Sequence, residues 1–361
     1  MTYDQVSALV TGGGSGIGLG IARALLASGA TVTIAGRSAE RLLAARHALA
    51  AQSLDVSRLH EVTADTTDEE QVKAAVAAAT AAAGPLNAVV ACAGEPRGQM
   101  APVTELDLGQ WHSVFENNVV GTMLTLKYGA RELVRAGGGS FIAISSISAL
   151  LTARFAAPIS SAKAALEQLC RVAAVELGPS DVTVNVIRPG LVAVPRQDLP
   201  AEMADDFVSI IPLHRLGAPD DIAGLVRFLV GPEARWVTGQ VISIDGGQTL
   251  NRAFDASPWV EPVFGQDRMR GLVPQRHELR SGPALSCPLP SALRIPCAAS
   301  RRPPARNDHQ SKPGNHEIGR HFARNQKIAD GWSLWRIYPS AIFASAYPAQ
   351  RVSLGHGKRS V

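Results

Sequence analysis

The glycine-rich segment TGGGSGIG, residues 11–18, limits the fold of this chain more than any other feature. It follows the apolar run VSALV, residues 6–10, and precedes LGIARALLASGA, whose apolar residues recur at helical spacing. Glycines in this position let the backbone turn tightly and let the free N–H groups of the next helix point at an anion. The segment therefore predicts a strand, a glycine turn and a helix that together hold a diphosphate.

The alternation of strand and helix patterns continues to about residue 250. Apolar runs such as TVTIAGRS, LNAVVACAG and VTVNVIRPG alternate with helical segments such as SAERLLAARHALAAQ, which Ser38 is placed to cap. The last strand of the series is GQVISIDGG. Repeated units of this kind predict an α/β fold with a Rossmann-type doubly wound parallel sheet, in a single domain over residues 1–250.

Residues 251–361 differ from the rest of the chain in composition. They contain twelve of the 23 prolines and show no sustained period of 2 or 3.6. This pattern predicts a disordered tail rich in proline and arginine. The net charge is −6 over residues 1–250 and +10 over the tail, so the overall value of +4 does not predict nucleic-acid binding by the folded domain.

Other function classes are disfavoured by what the sequence lacks. Cys92, Cys170, Cys287 and Cys297 are far apart and form no CxxC pair, which predicts free thiols and no metal site. The N-terminus has no basic segment followed by an apolar run, and no stretch of about 18 apolar residues occurs. We therefore expect a cytoplasmic protein that binds neither a membrane nor nucleic acid.

The end of the second predicted strand indicates which dinucleotide is bound. An acidic residue there would accept from the ribose 2′-hydroxyl of NAD, whereas this chain has Gly36, Arg37 and Ser38. A guanidinium at that point can pair with a 2′-phosphate. The sequence thus favours NADP(H) over NAD(H).

The motifs together resemble those of the short-chain dehydrogenase/reductase family over residues 5–249. TGGGSGIG is similar to the cofactor loop of that family, ACAG at Ala91–Gly94 stands where the family has NNAG, and VTGQVISIDGG is similar to its C-terminal signature. The resemblance implies a reductase or dehydrogenase that acts on a small molecule with a nicotinamide cofactor. It also implies a homodimer or homotetramer.

The resemblance also assigns roles to individual residues. It implies catalytic roles for Asn118 in ENNVVG, Ser146 in AISSIS and Lys163 in SSAKAAL. It implies that the cofactor is bound by the following residues: Gly12, Gly14, Ser15, Gly16, Ile17, Gly18, Arg37, Ser38, Asp65, Thr66, Ala93, Gly94, Lys163, Pro189, Gly190 and Val192.

The catalytic tyrosine of the family is missing. Its place, four residues before the lysine and thirteen after the serine, is taken by Ile159, which has no ionisable proton. In the family the lysine lowers the pKa of this tyrosine so that the phenol can protonate a carbonyl oxygen. Val194 also replaces a threonine that binds the carboxamide, and the nearby Ser145, Ser160 and Ser161 have hydroxyls that are poor acids.

Three functions remain open from the sequence. The first is reduction of a ketone, or oxidation of an alcohol, in which Asn118, Ser146 and Lys163 act with an ordered water. The second is reduction of an enoyl or dienoyl thioester, because relatives similar to 2,4-dienoyl-CoA reductase also lack the tyrosine and an enolate can be stabilised by hydrogen bonds alone. The third is binding of NADP without catalysis.

The segment between Gly190 and Leu216 is where the family carries a flexible cover over the substrate. Its mixture of apolar residues with Arg196 and Asp198 fits an apolar substrate of small to medium size, or a surface helix that packs on the core. His214 is a lone histidine in the run PLHRLG of this segment, which favours a structural or solvent-facing side chain.

Overall fold

The computed structural model describes residues 3–95, 98, 100–194, 201–251 and 255–272, and for residues 201–204 the backbone alone. All of these residues belong to the first of two units of the chain, Met1–Ile295. The second unit, Pro296–Val361, lies outside the described residues, as do Cys287, Arg196 and Asp198.

The described residues contain one parallel sheet of seven strands in the order β3-β2-β1-β4-β5-β6-β7. The strands are β1 Ser7–Thr11, β2 Thr31–Gly36, β3 Leu59–Thr63, β4 Ala88–Ala91, β5 Gly139–Ile144, β6 Val182–Pro189 and β7 Val241–Ile244. Every residue of β1, β4 and β5 is buried, as expected for central strands covered on both faces. The predicted doubly wound parallel sheet is confirmed.

Helices cover both faces of this sheet. They are α1 Gly16–Ala27, α2 Ala39–Ala50, α3 Glu69–Ala83, α4 Leu108–Phe115, α5 Gly121–Arg135, α6 Ala157–Leu177, α7 Ala201–Ile210, α8 Pro219–Val230 and α9 Ser257–Met269. As predicted, the Ser38 hydroxyl caps α2, where it accepts from the backbone N–H of Arg41. Asp68 caps α3 in the same way.

The core has two layers, one on each face of the sheet. Leu9 and Val10 are successive residues of β1, yet they belong to different buried clusters, because side chains alternate across a strand. Val10 packs with apolar residues of α1, α2 and α8, such as Ile21, and Leu9 packs with those of α3, α5 and α6, such as Leu166. The two layers hold the sheet rigid, so the loops at its carboxyl edge have fixed anchors.

The helical segment from Leu108 to Arg135 contains one irregular turn. Between α4 and α5, residues Glu116–Val120 form a single π-helical turn, which places an extra residue in the helix. Such turns are uncommon and occur frequently at functional sites. The residue at the centre of this turn is Asn118.

The described structure continues beyond residue 250, where the sequence pattern predicts a disordered tail. Helix α9 is held on the domain because Ala256 and Val260 are buried. The Arg154 guanidinium donates to Ser257 Oγ at 2.7 Å, and Arg268 lies 3.8 Å from the Glu105 carboxylate. Residues 273–361, to which the rest of the prediction applies, lie outside the described residues.

The described residues contain neither a membrane-spanning helix nor a candidate metal site. None of their helices is long and apolar enough to cross a membrane. Nor do their histidine, cysteine, aspartate and glutamate side chains form a group of three or more that could hold a metal ion.

Candidate functional site

The predicted site residues lie at the carboxyl edge of the sheet. Strand β1 is flanked by β2 and β4, and the chain passes to opposite faces of the sheet after β1 and after β4. In doubly wound sheets ligands bind in the crevice outside the carboxyl ends of the strands at such a switch point. The crevice between β1 and β4 is therefore the place where a ligand is expected.

The glycine turn is packed backbone against backbone. The N–H of Gly12 donates to the Ala35 carbonyl at 2.8 Å, and its φ of +70° is one that side chains disfavour. A Cβ on Gly12 would lie 2.9 Å from the Ala93 Cα, and a Cβ on Gly18 would lie 2.3 Å from the Gly12 carbonyl oxygen. Only glycine fits at these two positions.

The start of α1 can accept an anion. Ser15 stands at the N-cap with an extended backbone, and its side chain makes no capping hydrogen bond. Gly14 precedes it, and Gly16 and Ile17 form the first turn, in which no acidic residue occurs. The N–H groups of this turn and the helix dipole therefore favour a phosphate here.

Thr11 joins the glycine turn to the loop that follows β4. Its Oγ1 accepts from the backbone N–H groups of Cys92 and Ala93, at 3.2 Å each. Thr11 is the first residue of the glycine-rich segment, but this contact could not be predicted from the sequence. Its only signal is the position of a threonine at the last residue of the first strand.

The adenosine end of the crevice is formed after β2 and β3. Arg37 follows β2 directly and is exposed, and Asp65 follows β3, where its carboxylate accepts from the N–H and the hydroxyl of Thr67. Thr66 packs against the first residue of α5, since a Cβ on Gly121 would lie 3.0 Å from the Thr66 hydroxyl. The predicted residues at this end are thus at neighbouring strand ends.

Glu95 is a further charged residue at this end that the sequence analysis missed. Burial raises the pKa of its carboxyl, and the positive charge of Arg37 opposes that shift. The two side chains are therefore close enough to interact, although one follows β2 and the other follows β4.

Asn118 and Lys163 meet around Gly94 at the other end of the crevice. A Cβ on Gly94 would lie 2.7 Å from Asn118 Oδ1 and 3.7 Å from Lys163 Nζ. The Asn118 side chain donates to the Val114 carbonyl at 2.9 Å, and its buried Oδ1 has no hydrogen-bond partner among the described residues. A buried acceptor without a partner is uncommon and fits a place where a ligand or water donates.

The ammonium group of Lys163 is buried beside the carboxyl end of β5. It donates to the Ile144 carbonyl at 3.1 Å. Burial lowers the pKa of Lys163 to about 8, while the nearby Cys92 and Glu167 act in the opposite direction. Burial also raises the pKa of the Cys92 thiol to about 12, so this thiol is neutral near neutral pH.

Ser146 and Ile159 lie on two segments that face each other. Ser146 follows β5 and begins a 3₁₀ turn, Ile147–Ala149, where its Oγ accepts from the Ser148 N–H at 3.2 Å. Ile159 is in the first turn of α6, partly exposed, and Lys163 is one turn further along the same helix face. Ile159 therefore stands one helical turn before the buried ammonium group.

Two further hydroxyls near Ser146 and Ile159 are buried and unpaired. They belong to Ser148 and Ser160, and neither Oγ has a hydrogen-bond partner within the part of the chain that is described. Ser160 is named in the sequence analysis only as a poor acid, and Ser148 is not named. Both can donate to a bound ligand without breaking an existing hydrogen bond.

The segment after β6 closes the crevice. Pro189 ends β6, and the N–H of Gly190 donates to the Ile244 carbonyl at 2.9 Å. Val192 forms a bridge with Gly217, and Val194 lies against Gly16, because a Cβ there would be 3.4 Å from Val194 Cγ1. The chain thus passes from the nicotinamide end, as the resemblance assigns it, back to the glycine turn.

Two side chains that could replace the tyrosine are elsewhere. The Tyr128 hydroxyl donates to Glu69 at 2.9 Å, on the outer side of α5 against α3. His214 is exposed and has a φ of +50° in the turn after α7. Neither side chain can therefore donate a proton in place of the tyrosine that the family has at the position of Ile159.

Comparison with known proteins agrees with this geometry. The sequence profile of a family described as enoyl-(acyl carrier protein) reductase matches residues 12–249. The chain is 36% identical to galactitol 2-dehydrogenase (L-tagatose-forming) of Cereibacter sphaeroides over 68% of its own length and 96% of that protein. It is 36% identical to cis-4-hydroxycyclohexanecarboxylate dehydrogenase of Sinomonas cyclohexanicum, over 68% of its own length and 98% of that protein.

Solved structures show the same similarity. A short-chain type dehydrogenase/reductase from Mycobacterium ulcerans matches with a TM-score of 0.72 and 43% identity, over 76% of this chain and all of that one. A variant of actinorhodin polyketide ketoreductase, solved with NADPH, matches with a TM-score of 0.63 and 30% identity, over 69% and 99%. The chain therefore belongs to the short-chain dehydrogenase/reductase family of NAD(P)-dependent oxidoreductases.

Proposed function

We propose that this protein reduces the carbonyl group of an apolar substrate of small to medium size, or oxidises the corresponding alcohol, with NADP(H). The observation that carries the proposal is the convergence of Asn118, Ser146 and Lys163 at the carboxyl edge of the sheet, on the far side of Gly94 from the glycine turn. A ketone bound beside Ser146 would lie at the end of the crevice that is opposite to Arg37.

The residues of the crevice fit a dinucleotide. Gly12 and Gly18 keep the turn clear of side chains, the first turn of α1 has free N–H groups, and Asn118 Oδ1 is a buried acceptor without a partner among the described residues. Lys163 would hold the nicotinamide ribose, and Arg37 would pair with the 2′-phosphate. The bound cofactor would supply the hydride.

The residues around Ser146 would position the substrate oxygen. The Ser146 hydroxyl can donate to that oxygen, and the proton that follows the hydride would come from a water, since residue 159 has no acidic group. Positioning of the two reactants alone supplies much of the lowering of the barrier. We therefore expect slow but measurable ketone reduction.

Apolar substrates are favoured by α7, which belongs to the segment that the family resemblance assigns to the substrate cover. In α7 and the residue after it, the side chains of Phe207, Ile210 and Ile211 are buried. The helix thus turns an apolar side toward the domain, as expected of a cover over an apolar pocket.

A second function, reduction of an enoyl or dienoyl thioester, is favoured by Ile159 together with the unpaired hydroxyls of Ser148 and Ser160. Reduction of a conjugated double bond produces an enolate, which hydrogen-bond donors stabilise without immediate proton transfer. Ser146 and Ser148 lie in the segment after β5, and Ser160 is next to Ile159 in the first turn of α6.

A substrate panel distinguishes these functions. Purified protein is given NADPH with either a simple apolar ketone or a dienoyl-CoA, and oxidation is followed at the nicotinamide absorbance. Turnover of the ketone supports the first function, and turnover of the thioester alone supports the second. Binding of NADPH with no turnover of either would mean that the protein binds the cofactor without catalysis.

The preference for NADP(H) is tested by the variant Arg37→Met. We expect the Kd for NADPH to rise about 10- to 150-fold, because a charge-assisted hydrogen bond contributes about 1.5–3 kcal/mol. The Kd for NADH should remain unchanged, since NADH has no 2′-phosphate. Fluorescence titration of both nucleotides measures the two constants.

Arg171→Met is the matched control for this variant. Arg171 is exposed on α6, away from the crevice, and its substitution removes the same charge as Arg37→Met. Its NADPH affinity should equal that of the wild type. An equal loss of NADPH and NADH affinity in Arg37→Met would contradict the assignment of Arg37 to the 2′-phosphate.

A further inference from the structure

A buried ion pair lies directly behind the catalytic end of the crevice. The Glu167 carboxylate accepts from the Arg188 guanidinium through Nε at 2.7 Å and through Nη2 at 2.5 Å. It also accepts from the Ser145 hydroxyl at 2.7 Å. The Glu167 side chain is 3% exposed and that of Arg188 is 13% exposed. Charges at this depth are retained only where their hydrogen bonds are satisfied, as they are here.

The three residues belong to three elements that carry the site. Ser145 immediately precedes Ser146 at the end of β5, Glu167 is one helical turn after Lys163 on α6, and Arg188 immediately precedes Pro189 and Gly190 at the end of β6. The Glu167 carboxylate thus joins three segments. One places the Ser146 hydroxyl, the second places Lys163, and the third places the proposed wall of the nicotinamide pocket.

Glu167 also acts on Lys163 through its charge. The groups that face the lysine are Cys92, from the loop after β4, and Glu167, on its own helix. Because the Cys92 thiol stays neutral up to about pH 12, the carboxylate of Glu167 is the negative charge that supports the ammonium form near neutral pH.

We propose that Glu167 is a positioning residue that fixes Ser146 and Lys163 relative to the nicotinamide end of the crevice and keeps Lys163 charged. It does not touch the substrate or the cofactor and acts through Ser145, Arg188 and Lys163. The proposal rests on the function proposed above, because it requires that Lys163 binds a nicotinamide cofactor.

The pH dependence of NADPH affinity tests the electrostatic part. The wild-type Kd should increase as pH rises through about 8, because the charged ammonium is the stronger donor to the ribose. In Glu167→Gln the midpoint of this increase should move to lower pH by about one unit, since the opposite charge is lost. Titrations of the Kd for NADPH from about pH 6 to about pH 9.5 measure both midpoints.

Glu176→Gln is the matched control, because Glu176 is exposed on the same helix. Its midpoint should equal that of the wild type. A flat wild-type profile over this pH range, or a Glu167→Gln midpoint equal to that of the control, would overturn the proposal.

A double variant tests the positioning part and guards against a misfolded single variant. Glu167→Met combined with Arg188→Met removes both charges together, so no buried charge is left unpaired. Its pH midpoint should be lowered as in Glu167→Gln, because Lys163 loses the same carboxylate. Its Kd for NADPH at pH 7 should be about tenfold higher than that of the wild type because the three elements are no longer joined. Wild-type affinity in the double variant would show that the network does not position the site.

Failure of the two proposals can be told apart. A wild-type protein that binds no NADPH at any pH contradicts the proposed function, whereas wild-type binding with the same pH midpoint and affinity in all variants contradicts only the role of Glu167.

Discussion

Replacing Ile159 with tyrosine should raise the rate of ketone reduction by about 10²- to 10⁴-fold, which is the usual contribution of a general acid. The new phenol would stand one helical turn before Lys163 and on the same face of α6. The nearby ammonium favours the ionised phenol and lowers the pKa of the tyrosine, so that its proton can be transferred as the hydride arrives. Residue 159 is partly exposed, so the larger ring has room at the crevice.

The control for this variant is Ile159→Phe, which adds the same ring without the hydroxyl. We expect the rate of Ile159→Phe to remain at the wild-type level or below. Only the pH profile of Ile159→Tyr should show a new ionisation. The rates and their pH profiles are measured as kcat for a simple ketone at saturating NADPH. Equal rates for the tyrosine and phenylalanine variants would mean that residue 159 does not face the reacting carbonyl.

The same variant also separates the functions proposed for the native protein. If ketone reduction is absent in the wild type and appears with tyrosine, the scaffold positions ketone and cofactor correctly, and the native activity is not carbonyl reduction. A dienoyl-CoA activity of the wild type that is unchanged by the substitution would then support thioester reduction, because an enolate does not need the phenol.

The architecture could be predicted from the sequence because its cause is local. Buried runs such as the one in β5 and the helical spacing in α1 and α6 depend on neighbouring residues alone. The parallel arrangement then follows from the alternation of the elements, and the positions of Asn118, Ser146 and Lys163 follow from the motifs that the family shares.

Other features depend on contacts between distant residues and have no local signal. The pairing of Glu167 with Arg188 exists only because α6 packs on β6, and the two residues are 21 positions apart. The π turn around Asn118 adds one residue to the helical segment, and this insertion changes the spacing of the apolar residues too little to be predicted from the sequence. Helix α9 contains Pro262 and a non-helical Gly265, which conceal its periodicity.

Replacing Gly18 with alanine should weaken the binding of NADPH about 5- to 150-fold. The added Cβ would lie 2.3 Å from the Gly12 carbonyl oxygen and 2.7 Å from its carbonyl carbon, far inside normal contact distance. The turn and the start of α1 would have to move apart, which would displace the N–H groups that are proposed to bind the diphosphate. This loss of affinity corresponds to the cost of overpacking, about 1–3 kcal/mol, when the whole cost destabilises the NADPH-bound form.

Gly20→Ala distinguishes this effect from a general loss of stability. Gly20 is on the same helix two residues later, and its Cβ would lie 2.5 Å from the Pro219 side chain, at the contact with α8 and away from the glycine turn. Both variants should unfold at a lower temperature, but only Gly18→Ala should lose affinity for NADPH in fluorescence titrations. The proposed diphosphate site depends on the close approach of Gly18 to Gly12. Equal NADPH affinity in the two variants would therefore place the cofactor somewhere other than the crevice between β1 and β4.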